Sequence, residues 1–112
     1  MRVKAIYDGY TVKLPNSAGE MQDLGNLMSG RALAGLVRVK AFIYEAEEGR
    51  ISVRLECKAR GSSAGYWFAY KRLGGKLLKL YLCEAYALDP WLLDSVARRL
   101  LPDPQDDHNS AH

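Results

Sequence analysis

From Ile51 to Arg60 the chain alternates without interruption. Ile51, Val53, Leu55, Cys57 and Ala59 fall on one side, and Ser52, Arg54, Glu56, Lys58 and Arg60 fall on the other. A period of two with one wet side describes a strand in an antiparallel sheet, its apolar face in a core and its polar face toward water. The next twenty or so residues extend the same pattern. Gly61-Ser62-Ser63-Ala64-Gly65 is a flexible turn, 66–73 reads as a strand, Gly74-Gly75 as a tight turn and 76–83 as a returning strand.

The flanking segments are less uniform. Val3, Ala5 and Tyr7 precede Asp8-Gly9, and Tyr10, Val12 and Leu14 come after it. Asp-Gly between alternating runs predicts a two-residue hairpin turn, since glycine tolerates positive φ. Ser17 and Glu20 have capping-box spacing, and Met21, Leu24, Leu27 and Met28 recur on one helical face, so a short helix is expected near 18–28, closed by Ser29-Gly30. Gly19 and Gly25 weaken that helix. From Leu33 the texture turns to Leu36, Val37, Val39, Phe42, Ile43 and Tyr44, which reads as strand up to a turn at Glu47-Glu48-Gly49. Near the C-terminus, Asp89 is a good N-cap and Pro90 suits the first helical position. Leu93, Val96, Ala97 and Leu100 then recur at helical spacing, until Pro102 ends the helix.

The expected fold class is therefore α+β: an antiparallel sheet of four to six strands, with a C-terminal amphipathic helix and a short N-terminal helix packed on it. At 112 residues, 48% apolar and 26% charged, the chain suits one compact domain over 1–102. Its centre would be a strand-strand-strand-helix unit at 50–101, and the polar residues 103–112 are expected to be a disordered tail.

Several function classes are excluded on inventory. No apolar run approaches the roughly 18 to 20 residues of a membrane span, so no membrane partner is expected. The first fourteen residues lack the apolar core and cleavage site of a secretory signal, and two cysteines are too few for a disulfide scaffold, so a cytoplasmic setting is expected. Both histidines, His108 and His112, lie in the polar tail. With no phosphate-binding loop, nucleophile elbow or metal-ligand cluster, the expectation is a non-enzymatic protein without cofactor or metal.

Charge is unevenly placed. Residues 50–79 carry eight of the 16 bases and one of the 13 acids, a local balance of +7 against −4 elsewhere. Within this stretch, Tyr66-Trp67-Phe68-Ala69-Tyr70-Lys71-Arg72 puts Tyr66, Phe68 and Tyr70 on one side of a strand and Trp67 on the other. One side can fill the core, leaving rings beside cations on the other, a combination that suits phosphate pairing, ring stacking and base-edge contact. The competing interpretation is a packed hairpin whose cations are merely solvated.

The pattern Gly49…Arg54-x-Glu56-x-Lys58-x-Arg60-Gly61…Gly65-Tyr66-Trp67-x-Ala69-Tyr70-Lys71-Arg72…Gly75-Lys76-Leu77…Lys79-x-Tyr81-Leu82 resembles a small module of bacterial proteins. That module occurs near the N-terminus of some LuxR/MalT-type transcriptional regulators and in small stand-alone proteins of bacteria and mobile elements. In element order the segment is also similar to integrase-type domains, in which a three-stranded sheet enters the major groove of DNA. The resemblance implies a regulatory or accessory nucleic-acid-binding factor, with double-stranded DNA as the expected partner. Its contacts would come from Arg54, Lys58, Arg60, Lys71, Arg72, Lys76 and Lys79 to phosphate, and from Tyr66, Trp67 and Tyr70 to sugar or base. The chain departs from the module at Leu78 and Leu80, where basic residues are usual, and at Cys83, where glycine is. If both leucines point outward, they would join Tyr86 and Trp91 in a patch for a homodimer or a protein partner. If they point inward, Leu77, Lys79 and Tyr81 face out and a basic surface survives. A one-residue shift in register separates the two.

Overall fold

The computed structural model describes residues 4–47, 49–57 and 65–100. Its elements are β1 (Ile6–Tyr7), β2 (Val12–Pro15), β3 (Met21–Gly25), α1 (Gly30–Val39), β4 (Ala41–Ala46), β5 (Gly49–Glu56), β6 (Tyr66–Leu73), β7 (Lys76–Glu84), a 3₁₀ turn at Ala85–Ala87 and α2 (Pro90–Leu100). The strands form one sheet in the order β3-β2-β1-β4-β5-β6-β7. The α+β class holds, but the sheet has seven strands rather than four to six and is mixed. β1 and β4 run parallel, with Ile6 beside Ile43 and Tyr7 beside Tyr44. The chain between these two strands includes α1, the kind of crossover a parallel pair requires.

The N-terminal helix is displaced from its expected place. Residues 21–25 form an edge strand, and the helix lies at 30–39. Ser29-Gly30 starts this helix instead of closing one: the Ser29 hydroxyl accepts from the Ala32 N–H at 3.2 Å. Ala32, Gly35, Leu36 and Val37 are buried, and Lys40 closes the helix in a left-handed conformation, its N–H donating to the Leu36 carbonyl. The Ser17/Glu20 spacing that suggested a cap belongs to a hairpin turn instead. There the Asn16 side-chain oxygen accepts from the N–H groups of Ala18 and Glu20 at 2.9 and 3.0 Å. The Asp8-Gly9 hairpin forms with a longer loop than expected, because Tyr7 pairs with Val12. Asp8 Oδ1 takes the N–H groups of Tyr10 and Thr11 at 2.8 and 2.9 Å, which holds the Asp8 carboxyl below its ordinary pKa.

The C-terminal helix matches the sequence closely. Asp89 Oδ1 accepts from the Leu92 N–H at 2.9 Å, Pro90 opens the helix, and Leu93, Val96, Ala97 and Leu100 are buried. No helix among the described residues is long and apolar enough to cross a membrane.

One core joins these elements. Tyr7, Val12, Leu14, Phe42, Tyr44, Ile51, Val53, Leu55, Trp67, Ala69 and Leu82 supply it from the strands, and Leu36, Leu93 and Val96 from the helices. In β1 and β2, and again in β4 to β6, the buried positions alternate along the strand, so both helices cover the same face of the sheet. The opposite face carries no helix among the described residues.

Candidate nucleic-acid interface

Strands β4 to β7 pair antiparallel, and their register assembles the helix-free face row by row. Ile43, Ser52, Tyr70 and Lys79 form one row across the four strands. Ala41, Arg54, Phe68 and Tyr81 form the next, and Tyr66 stands beside Glu56 beyond it. Arg50 pairs with Glu45 toward the other end, where Arg72 lies across from Leu77.

The rings on this face touch one another. Tyr81 lies 5.7 Å from Phe68, edge-on, and 6.0 Å from Tyr66, centroid to centroid. The Lys79 ammonium sits 4.4 Å above the Phe68 ring and 5.6 Å from that of Tyr70, and the Arg54 guanidinium lies 5.8 Å from the Tyr70 ring. Tyr81 is 53% exposed, and Tyr66, Phe68 and Tyr70 are half-buried. Ser52, Arg54, Tyr70, Lys71, Arg72 and Leu77 border a shallow recess of about 350 Å³ at the end of this ring cluster.

Two of the cations are already engaged. Lys79 Nζ is 3.0 Å from Glu56 Oε1, and Arg50 is 2.9 Å from Glu45. The Tyr70 hydroxyl donates to the other Glu56 oxygen. Partial burial, then this hydrogen bond to a carboxylate, raises the Tyr70 phenol pKa, while the contact with Glu56 raises that of Lys79. Among the described residues, Arg54 and Arg72 stand in no ion pair.

The expected contact residues divide accordingly. Arg54, Tyr66, Tyr70, Arg72 and Lys79 share the helix-free face, and Lys76 is exposed where β7 begins. Trp67 does not belong with them. It is 0% exposed, its ring meets Phe42 edge-on at 5.3 Å, and its Nε1 donates to the Ala85 carbonyl at 2.8 Å. A side chain closed in on all sides cannot touch a ligand without unfolding the sheet. Lys71 has the parity of Trp67 and Ala69, and its ammonium reaches back to the Arg50 carbonyl at 3.3 Å. Lys58 and Arg60 lie outside the described residues.

The register of β7 takes the second of its two alternatives. Leu78 and Leu80 are half-buried and pack against the core, while Leu77, Lys79 and Tyr81 face out. An outward patch built on Leu78 and Leu80 is therefore corrected. Of its four proposed members only Tyr86 (63% exposed) and Trp91 (87%) are outward. Sequence reasoning left Phe68 and Tyr81 out of the contact set, although the parity of Tyr66 and Tyr70 in β6 implicates Phe68. Glu56, which the alternation only placed on the wet side of its strand, holds both Lys79 and Tyr70.

No cluster of three or more metal-ligating side chains is found among the described residues. Cys57 and Cys83 are not bonded to each other. Burial, together with Asp89 and Glu84, pushes the Cys83 thiol up to about 11. Comparison with protein-family models, with curated proteins and with solved structures found no match to this chain.

Proposed function

We propose that this protein is a small, non-enzymatic nucleic-acid-binding factor with a regulatory or accessory role, and that it binds through the helix-free face of β4 to β7. The observation that carries the reading is the grouping of Tyr66, Phe68, Tyr70 and Tyr81 with Arg54, Arg72 and Lys79 on a surface that no helix among the described residues covers. Cations supply sequence-independent attraction to phosphate, and rings supply surface against which sugars and bases pack. Fluorescence anisotropy with labelled oligonucleotides, titrated from about 50 to 200 mM salt, tests it. Micromolar or tighter binding that weakens with salt, and is lost in Arg54→Glu/Arg72→Glu, supports the reading. Unchanged affinity in that double variant refutes it.

A protein interface is the second reading, and it has its own observation. Met28 (67% exposed), Asp89, Pro90 and Trp91 border a mostly apolar recess of about 400 Å³, on different elements from the ring cluster. This reading predicts self-association, or capture of a partner, that responds weakly to salt and is lost in Trp91→Ser. Light scattering coupled to size exclusion reads the self-association. A monomer at all concentrations removes the homodimer.

A further inference from the structure

We infer that the nucleic acid taken by this face is single-stranded, with bases stacked on the Tyr66–Tyr81–Phe68 ring cluster and phosphates reaching Arg54 and Arg72. The inference rests on the proposed nucleic-acid binding and narrows it.

Shape is the first argument. The major groove of a duplex is about 12 Å wide, room for a helix, a two-stranded ribbon or, as in the integrase-type domains, a three-stranded sheet. Adjacent strands lie about 4.8 Å apart, so the axes of β4 and β7 are already about 14 Å apart before side chains are added. The sheet then continues beyond β4 through β1, β2 and β3. A platform of this breadth lies across a groove instead of entering it.

Charge is the second. Duplex backbones are held by many phosphate contacts, yet Lys79 and Arg50 are matched to Glu56 and Glu45. Among the described residues, two unpaired arginines beside a ring cluster whose most exposed member is Tyr81 make a modest electrostatic anchor next to a stacking surface. Stacking needs a base whose face is free, which a duplex interior does not offer.

Spacing is the third. The row holding Phe68 and Tyr81 lies two residues along the strands from the row holding Tyr70 and Lys79. That is about 6.8 Å, twice the rise of about 3.4 Å per nucleotide in a duplex strand. Bases that occupy successive rows must therefore be splayed apart, as only an unpaired strand allows. The recess beside Arg54 and Arg72 lies at the end of this track. A sugar-phosphate running past Tyr70 would meet both guanidinium groups there.

The test uses the full chain and four labelled probes of equal length at about 50 mM salt: oligo(dT), oligo(U), a dT strand with its bases removed, and a mixed-sequence duplex. Oligo(dT), oligo(U) or both should bind at least about tenfold tighter than the duplex and the abasic strand. Loss of one ring in Tyr81→Ala should weaken the preferred strand by about 5- to 150-fold. Tyr81→Phe, which keeps the ring, should bind as wild type, and circular dichroism of each variant checks that it folds. Preference between dT and U assigns the strand to DNA or RNA. If the abasic strand or the duplex binds as tightly as oligo(dT) and oligo(U), stacking is overturned while nucleic-acid binding stands. If none of the four binds, both readings fall.

Discussion

Glu56 is the residue whose removal should strengthen binding. Its two carboxylate oxygens hold Lys79 and the Tyr70 hydroxyl, which keeps a cation at the centre of the ring cluster from meeting phosphate. Glu56→Gln keeps the shape and a hydrogen-bonding amide but removes the negative charge, so the ammonium becomes available to a bound strand. Each phosphate contact with a single strand contributes about −0.7 to the slope of log affinity against log salt. The variant should therefore show a slope about 0.7 steeper than wild type, and between about 50 and 200 mM salt it should lose about 2.6-fold more affinity. At low salt it should bind tighter. Arg54→Gln/Arg72→Gln, which removes the two charges without reversing them, should move the slope the other way, by about 1.4 if both guanidinium groups contact phosphate. Slopes are compared as differences, so contributions from Lys58 and Arg60 cancel. The folding cost of the Glu56 change should stay below about 1 kcal/mol, because the ion pair is solvent-exposed. Anisotropy titrations at four or five salt concentrations give the slopes, and urea unfolding gives the stability. An unchanged slope with weaker binding in Glu56→Gln would refute the view that Glu56 restrains Lys79, and would make the carboxylate itself part of the recognition surface.

The remaining predictions concern the scaffold. Trp67→Ala should cost about 3 to 5 kcal/mol in urea unfolding, since it empties a fully buried site and strands the Ala85 carbonyl; a loss below about 1 kcal/mol would place Trp67 outside the core. Gly35→Ala puts a methyl 2.5 Å from Leu14 Cδ1 and 3.0 Å from Leu24 Cδ1, and should destabilise by about 1 to 3 kcal/mol despite the better helix propensity of alanine. Cys83, with its thiol raised from 9.0 to about 11, should carry about 100-fold less thiolate at pH 8 than an unperturbed thiol and alkylate correspondingly slowly; fast labelling in the folded protein would contradict its burial. Cys83 and Tyr7, the latter raised from 10.0 to about 12 by burial and by Tyr44, Asp8 and Asp89, hold their protons in the folded state after the unfolded chain has released them. Stability should therefore fall as pH rises from about 9 toward 12, and a thermal midpoint that is flat or rising across that window would contradict these shifts.

Legibility in the sequence tracked the strength of local period. The alternations of β5 and β6 and the apolar spacing of α2 each have one dominant reading, and the Asp89-Pro90 start of α2 matches its cap in the fold. The segment 17–39 had two. Met21, Leu24, Leu27 and Met28 are helix-spaced, yet Gly25 adopts φ 83° and Asn16 captures the turn, so tertiary pairing with β2 makes 21–25 a strand. The β-branched texture of 33–39 is likewise overridden by the Ser29 cap and the burial of Leu36 beneath the sheet. The strand absent from the expected set is β3 itself, and the parallel β1–β4 pair was beyond local reading, because its partners are far apart along the chain, Ile6 beside Ile43. On the interface, parity separated Trp67 from the other rings, but which side was buried required knowing where the helices sit.

That placement also decides what β7 can do. Among the described residues β7 is an edge strand, and an edge of nine residues rich in leucine is a template for pairing with a second chain. Three features of β7 oppose this. Lys79 interrupts the apolar run that follows Lys76, and an antiparallel copy centred on Lys79 would set two ammonium groups directly opposite each other. The third is the register shift between Trp67 and Phe68, which leaves Leu82 as the extra residue of a bulge opposite Trp67. Leu82 is then buried, and Cys83 packs half-buried against the core beside it. A bulge twists the strand and spoils the straight ladder that edge-to-edge pairing needs. The same bulge comes directly after Tyr81 and leaves that ring turned out toward Phe68 and Tyr66. One irregularity thus both blunts the edge against a second copy and completes the ring cluster.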